Sequence, residues 1–111
     1  FEVLVETQDH LLAVARTHVE RVVLEAFAAA SGRCDDERAR ALLGRLCDLH
    51  ALAGIERDRA WFQEHGRLSS TRSKAVIKTV DALCAELAPD AGPLAGAFGV
   101  PEAVLGGAAR A

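Results

Sequence analysis

The chain has 111 residues, 50% hydrophobic and 26% charged. That balance excludes intrinsic disorder, and that length leaves room for one core but not for a catalytic domain plus a second fold. A net charge of -3 offers no general attraction to phosphate backbones or anionic lipid, and no apolar run approaches the roughly 18 residues of a membrane span.

The three cysteines, Cys34, Cys47 and Cys84, do not make an even-numbered disulfide framework, so a reducing, cytoplasmic compartment is expected. The chain opens at Phe1, without an initiator methionine, directly into FEVLVETQ. The expectation is a piece of a longer polypeptide with an upstream neighbour.

In the first segment Leu4, Leu11, Ala15, Val19, Val22, Ala26 and Ala29 recur mostly three and four residues apart, and Asp9, Glu20 and Glu25 lie between them. This spacing predicts one long helix over residues 2–30 with its apolar stripe on those positions. Ser31-Gly32-Arg33-Cys34 is the first break, with Gly32 suited to a left-handed helix end. Asp35 and Asp36 offer carboxylates to the amides that open a second helix, and capping accounts for Asp35.

Leu42, Leu43, Leu46, Leu49, Leu52, Ala53, Ala60 and Trp61 give that second helix a broad apolar surface, wide enough for two neighbours. It is expected to run on to His65, whose ring can reach the last carbonyls, and to stop at Gly66. Ser69 or Ser70 can cap a third helix with Val76, Val80, Leu83, Cys84 and Leu87 on its face and Lys74 and Lys78 on its wetter side. Pro89, Pro93 and Pro101 then exclude a fourth long helix, while allowing short helices near Pro89 and Pro101 with Gly99 ending one of them. The closing GGAARA is expected to fray. The fold class predicted is all-α, an antiparallel bundle of three main helices with short helices in the tail.

Motifs for chemistry are incomplete. Cys47 and His50 are three apart on a helix, as zinc ligands can be, and Cys84 could add a third, but no C-x-x-C or H-x-x-x-H pair completes the set. The residues three before His10, His18, His50 and His65 are Thr7, Ala15, Cys47 and Phe62, so the E-x-x-H segments of a di-iron bundle are absent. Cys34 beside a helix start gains from the dipole, and Asp35 and Asp36 oppose that gain by like charge.

Glu56, Asp58 and Glu64 mix with Ile55, Trp61 and Phe62 in a pattern that describes salt bridges around an aromatic anchor better than acid/base catalysis. Basic residues from Arg33 to Arg45 and from Arg67 to Lys78 lack the aromatic interleaving of a nucleic-acid surface. No G-x-G-x-x-G or Walker A loop offers a nucleotide cradle.

RVVLEAFAAA from Arg21, LLGRLCDLHALAGIERDRAWFQEHGRLSSTRSKAV from Leu42 and DALCAELAPDAGPLAGAFGVPEAVL from Asp81 resemble the C-terminal helical domain of acyl-CoA oxidases, relatives of the acyl-CoA dehydrogenases. The resemblance covers most of residues 1–111. It implies a non-catalytic domain of an FAD-dependent enzyme that converts fatty acyl-CoA to trans-2-enoyl-CoA, with hydrogen peroxide formed from oxygen. By the same resemblance, a glutamate base and the FAD belong to earlier domains, and the C-terminal domains help complete a homodimer.

The matches carried over, at Leu46, Cys47, Asp48, Leu49, Trp61, Phe62, His65, Gly66, Phe98, Gly99 and Pro101, are structural. No catalytic, cofactor-binding or metal residue is assigned within the chain. The partners implied are the upstream domains, a second subunit and, for the parent, the acyl-CoA substrate. GGAARA is not a peroxisomal address of the Ser-Lys-Leu type, and the composition points to a bacterial cytoplasmic origin. The alternatives are an acyl-CoA dehydrogenase-related domain and a stand-alone helical interaction module without redox activity.

Overall fold

The computed structural model describes residues 3, 5 and 7–105. In chain order these form α1 (Gln8–Gly32), α2 (Glu37–Arg57), α3 (Arg59–Glu64), α4 (Ser70–Leu87), a 3-10 turn (Ala88–Asp90), α5 (Ala91–Gly96) and α6 (Glu102–Leu105). The predicted start of the first helix at Glu2 and the closing GGAARA lie outside the described residues.

The link from α1 to α2 is built by local hydrogen bonds. Gly32 ends α1 as its last helical residue, in the right-handed region, and Arg33 N–H donates back to Ala29 and Ala30. The α2 cap is Asp36 rather than Asp35: its backbone is extended and its carboxylate accepts from Ala39 N–H at 2.6 Å. Arg40 Nε donates to the Cys34 carbonyl at 2.8 Å, which ties the link to the first turn of α2.

From there α1 and α2 run side by side in opposite directions. Ser31 Oγ reaches the Arg40 carbonyl at 3.5 Å, Phe27 meets the His50 ring at 6.5 Å, and Glu20 meets Arg57 at 2.6 Å, so one helix descends as the other rises. Helix α4 returns along α2, with Arg45 facing Glu86 at 3.6 Å and Arg38 facing Asp90 at 3.9 Å. The two-sided apolar surface of α2 is thereby occupied by α1 and by α4, and Leu42, Leu43, Leu46, Leu49 and Leu52 are half-buried along it.

Further sequence expectations are corrected. The second helix is not continuous to His65. It breaks at Asp58, which leaves helical geometry with φ -102° and ψ 16° before α3 resumes. No proline or glycine sits at the break. Aspartate is a weak helix former, and here its carboxylate pairs with the neighbouring Arg57 guanidinium at 2.9 Å.

On α1, the residues turned toward α2 are Glu20, Leu24, Phe27 and Ser31, all half-buried, while Leu11, Ala15, Val19, Val22, Ala26 and Ala29 are exposed. On α4 the deepest row is Ser73, Val80 and Leu87, and Cys84 is exposed. Its cap is Ser69, whose hydroxyl accepts from Arg72 N–H at 3.2 Å.

The tail follows its prolines. Pro89 lies within the 3-10 turn, α5 closes with Ala97 N–H donating to the Pro93 carbonyl, and Gly99 takes φ 62°, a left-handed geometry that glycine reaches without a Cβ clash. The Cα radius of gyration is 17.9 Å, against about 13 Å for a closed globule of this length. The three main helices make an open layer around α2, and only Ser73, Val80 and Leu87 are buried among the described residues.

Candidate functional site

A groove with apolar walls and clustered charge lies between α1 and the α2–α3 break. Thr17, Glu20 and Leu24 line one side, and His50, Gly54 and Phe62 line the other. At its mouth Arg57 joins the two helices, donating to Glu20 Oε1 at 2.6 Å and to Asp58 Oδ2 at 2.9 Å, while Arg16 Nε reaches the same Glu20 oxygen at 3.0 Å.

The hydrogen bond from Arg57, reinforced by Arg16, holds Glu20 below the ordinary carboxylate range. Arg57 does the same to Asp58 and is itself raised, first by Asp58 and then by Glu20. Both acids are therefore anionic and committed to cations at neutral pH. A general acid or base needs the opposite, a carboxyl tuned toward neutrality, so this cluster clasps helices rather than moves protons.

A second cluster closes α3. The Trp61 ring stacks on His65 at 4.2 Å and meets Phe62 edge-on at 5.3 Å. His65 Nδ1 lies 2.8 Å from the Trp61 carbonyl oxygen, and because a carbonyl only accepts, Nδ1 carries the proton. Arg67 N–H then donates to the Phe62 carbonyl and Gly66 N–H to the Gln63 carbonyl, with Gly66 at φ 66°. This is the Schellman helix ending that the EHG sequence predicts. Trp61 remains 54% exposed, so the anchor is assembled but the described residues leave about half of it uncovered.

The other singled-out residues are dispersed. Leu46, Cys47 and Leu49 are half-buried on α2, Asp48 is exposed there, and Phe98, Gly99 and Pro101 are exposed in the tail. His50 is exposed and Cys47 is half-buried, and all three cysteines are free thiols. Among the described residues no three His, Cys, Asp or Glu side chains are grouped to hold a metal ion, and no helix is long and apolar enough to cross a membrane.

Residues 1–108 match the family model described as acyl-CoA oxidase. The chain belongs to the acyl-CoA oxidase family. It is 33% identical over 96 residues to the peroxisomal acyl-coenzyme A oxidase 2 of Arabidopsis thaliana, an alignment covering 86% of the chain and 14% of that protein. It is 28% identical over 99 residues to the peroxisomal acyl-coenzyme A oxidase 3 of the same plant, covering 87% of the chain and 14% of the relative. A putative acyl-coenzyme A oxidase from that plant is also 28% identical over 99 residues, with 87% of the chain and 52% of the relative covered. No solved structure gives a significant match. The chain thus spans a small part of the first relatives it matches, and it was the aligned motifs, rather than any catalytic pattern, that carried the family in the sequence.

The Glu20–Arg57–Asp58 clasp escaped the sequence reading, which placed Glu20 only as a polar position between the apolar ones of the first helix. Its signal was weak: Arg57 and Asp58 are adjacent in the chain, but Glu20 joins them only when the hairpin closes.

Proposed function

We propose that this chain is the non-catalytic C-terminal helical domain of an FAD-dependent acyl-CoA oxidase, which converts fatty acyl-CoA to trans-2-enoyl-CoA with hydrogen peroxide formation. Its work is packing against the parent's other domains and assembling a homodimer. The observation that carries this reading is the family match over residues 1–108, together with helices whose apolar faces stay uncovered.

The groove between α1 and α2 is a poor match for a flavin, which supports placing the FAD site in other domains. A dinucleotide pyrophosphate calls for converging backbone amides or uncommitted cations. Here Arg57 and Arg16 are engaged with Glu20 and Asp58, and the two left-handed glycines, Gly66 and Gly99, close short helices rather than open a long one. In the parent, FAD would accept the electrons and deliver them to oxygen from a site built by other domains. Free thiols at Cys34, Cys47 and Cys84 support a reducing cytoplasm as its location.

The test uses the purified parent and residues 1–111 side by side. The parent should show a flavin absorption band and acyl-CoA-dependent oxygen consumption, and the 111-residue chain neither. Reduction by acyl-CoA that proceeds only with another electron acceptor would make the parent a dehydrogenase. A parent without flavin would leave a stand-alone interaction module, and flavin-dependent activity from residues 1–111 alone would overturn the non-catalytic assignment.

A further inference from the structure

Helix α1 packs with one face and leaves the far side exposed among the described residues. Glu20, Leu24, Phe27 and Ser31 point toward α2. On the far side Leu12, Ala15, Val19, Val22, Ala26 and Ala29 alternate in steps of three and four, and all six are exposed. That is the a/d spacing of a helix-pairing seam sustained through residues 12–29, about 26 Å of helix at ~1.5 Å per residue. Most surface helices show one apolar face, and this one shows two.

We infer that the outward seam of α1 seats the α1 helix of a second copy of this chain, antiparallel, as the surface through which the subunits pair. The inference rests on the homodimer reading above and adds the surface and the register.

Three observations favour a second copy as occupant. First, the seam complements itself about a two-fold axis between Val19 and Val22. In that register Leu12 faces Ala29 of the partner subunit, Ala15 faces Ala26 of the partner subunit, and Val19 faces Val22 of the partner subunit. No layer opposes two long side chains, and the alanine layers let the helix axes approach closely.

Second, the flanks agree with the same register. Antiparallel pairs bring like flanks together, which sets His18 against Glu25 of the partner subunit, a donor against a carboxylate. The other flank sets Arg16 against Val23 of the partner subunit and Asp9 against Ala30 of the partner subunit, so no like charges meet. Glu25 already pairs with Arg21 on its own helix at 3.7 Å, with both side chains open to a further contact. Third, pairing on this face leaves the α1–α2 packing and the Arg57 clasp untouched, and opposed helix dipoles favour the antiparallel sense.

The test is sedimentation equilibrium of the purified 111-residue chain across the micromolar range, with circular dichroism to confirm that each variant keeps its helices. The unsubstituted chain should sediment as a reversible dimer. Val22→Arg puts a charge into the centre of the seam and should weaken the dimer by at least about tenfold, whereas Val14→Arg, exposed on the same helix but off the seam, should leave it unchanged. His18→Glu should weaken the dimer, and adding Glu25→Arg should restore it, because only the antiparallel register brings those two positions together.

A chain monomeric throughout that range would overturn the inference and give the seam to another part of the parent. The flavin test of the parent would stand regardless, so the two failures are separable. Equal loss with Val14→Arg and Val22→Arg, or a charge exchange that fails to restore the dimer, would also overturn the surface or its register.

Discussion

Helices α1 and α4 are both long and rich in apolar residues, yet α4 buries Ser73, Val80 and Leu87 whereas α1 buries none of its residues. The difference lies in how the apolar positions are distributed. On α4 the deepest positions recur every seventh residue on one side, the side against α2, and the lysines at 74 and 78 stay in solvent. On α1 apolar residues occupy two opposite sides, and α2 can cover only one. A helix apolar on two sides is designed for two neighbours. The comparison teaches that burial in this chain is concentrated in the α2–α4 layer, while one side of α1 stays exposed among the described residues.

The sharpest way to test that division is Leu87→Ala. The side chain is 5% exposed at the end of the α4 row, and its truncation removes apolar burial and leaves a cavity, for an expected loss of about 2–5 kcal/mol in urea denaturation of the isolated chain. A loss no larger than that of an exposed residue would show that α2 and α4 do not form the core.

Asp36→Ala comes next. It leaves the Ala39 amide without its 2.6 Å acceptor at the start of α2, the helix shared by both layers. A loss of about 1 kcal/mol is expected, and Asp35→Ala should cost markedly less because Asp35 makes no cap bond. Equal effects from the two substitutions would return the cap to both acids.

Trp61→Ala sharpens the comparison in another way. In the isolated chain the ring is half-exposed and its contacts are the His65 stack and the edge of Phe62, so the expected loss is about 0.5–1.5 kcal/mol. In the parent, where a neighbour is proposed to cover it, the loss should rise toward the ~3–5 kcal/mol of an enclosed tryptophan. Equal small losses in both settings would remove Trp61 as an interdomain anchor.

The smallest effect is expected at the clasp, an exposed set of ion pairs. Glu20 and Asp58 are held below their ordinary values by Arg57. Their contribution is therefore complete above the ordinary carboxylate range and is lost as pH falls through the depressed values. Acid titration followed by circular dichroism should show this component in the unsubstituted chain, and Arg57→Met should remove it. Superimposable acid profiles would show that the clasp does not hold α1 to α2. Added salt should weaken the same component, because exposed charges are screened.

Much of the architecture was legible in the residues themselves. The leucines of α2 at three- and four-residue spacing announced a helix with two apolar neighbours, Ser69 or Ser70 announced the start of α4, and His65-Gly66 announced a helix end, because each signal acts within a turn of its own backbone. The LCDLHAL, IERDRAWF and AFGVPEAVL runs carried the family for a similar reason: they are contiguous in sequence.

What only the tertiary structure decided was which of two apolar sides α1 turns inward, that the helix over Asp58 breaks, and that Glu20 and Arg57 meet. Periodicity establishes that a helix has an apolar face, but a helix with two such faces satisfies the same pattern in either orientation. The choice is made by shape and charge at the contact, where Phe27 meets His50 and Arg57 finds Glu20. Those partners lie 23 and 37 positions apart in the chain, beyond the range over which local spacing carries information.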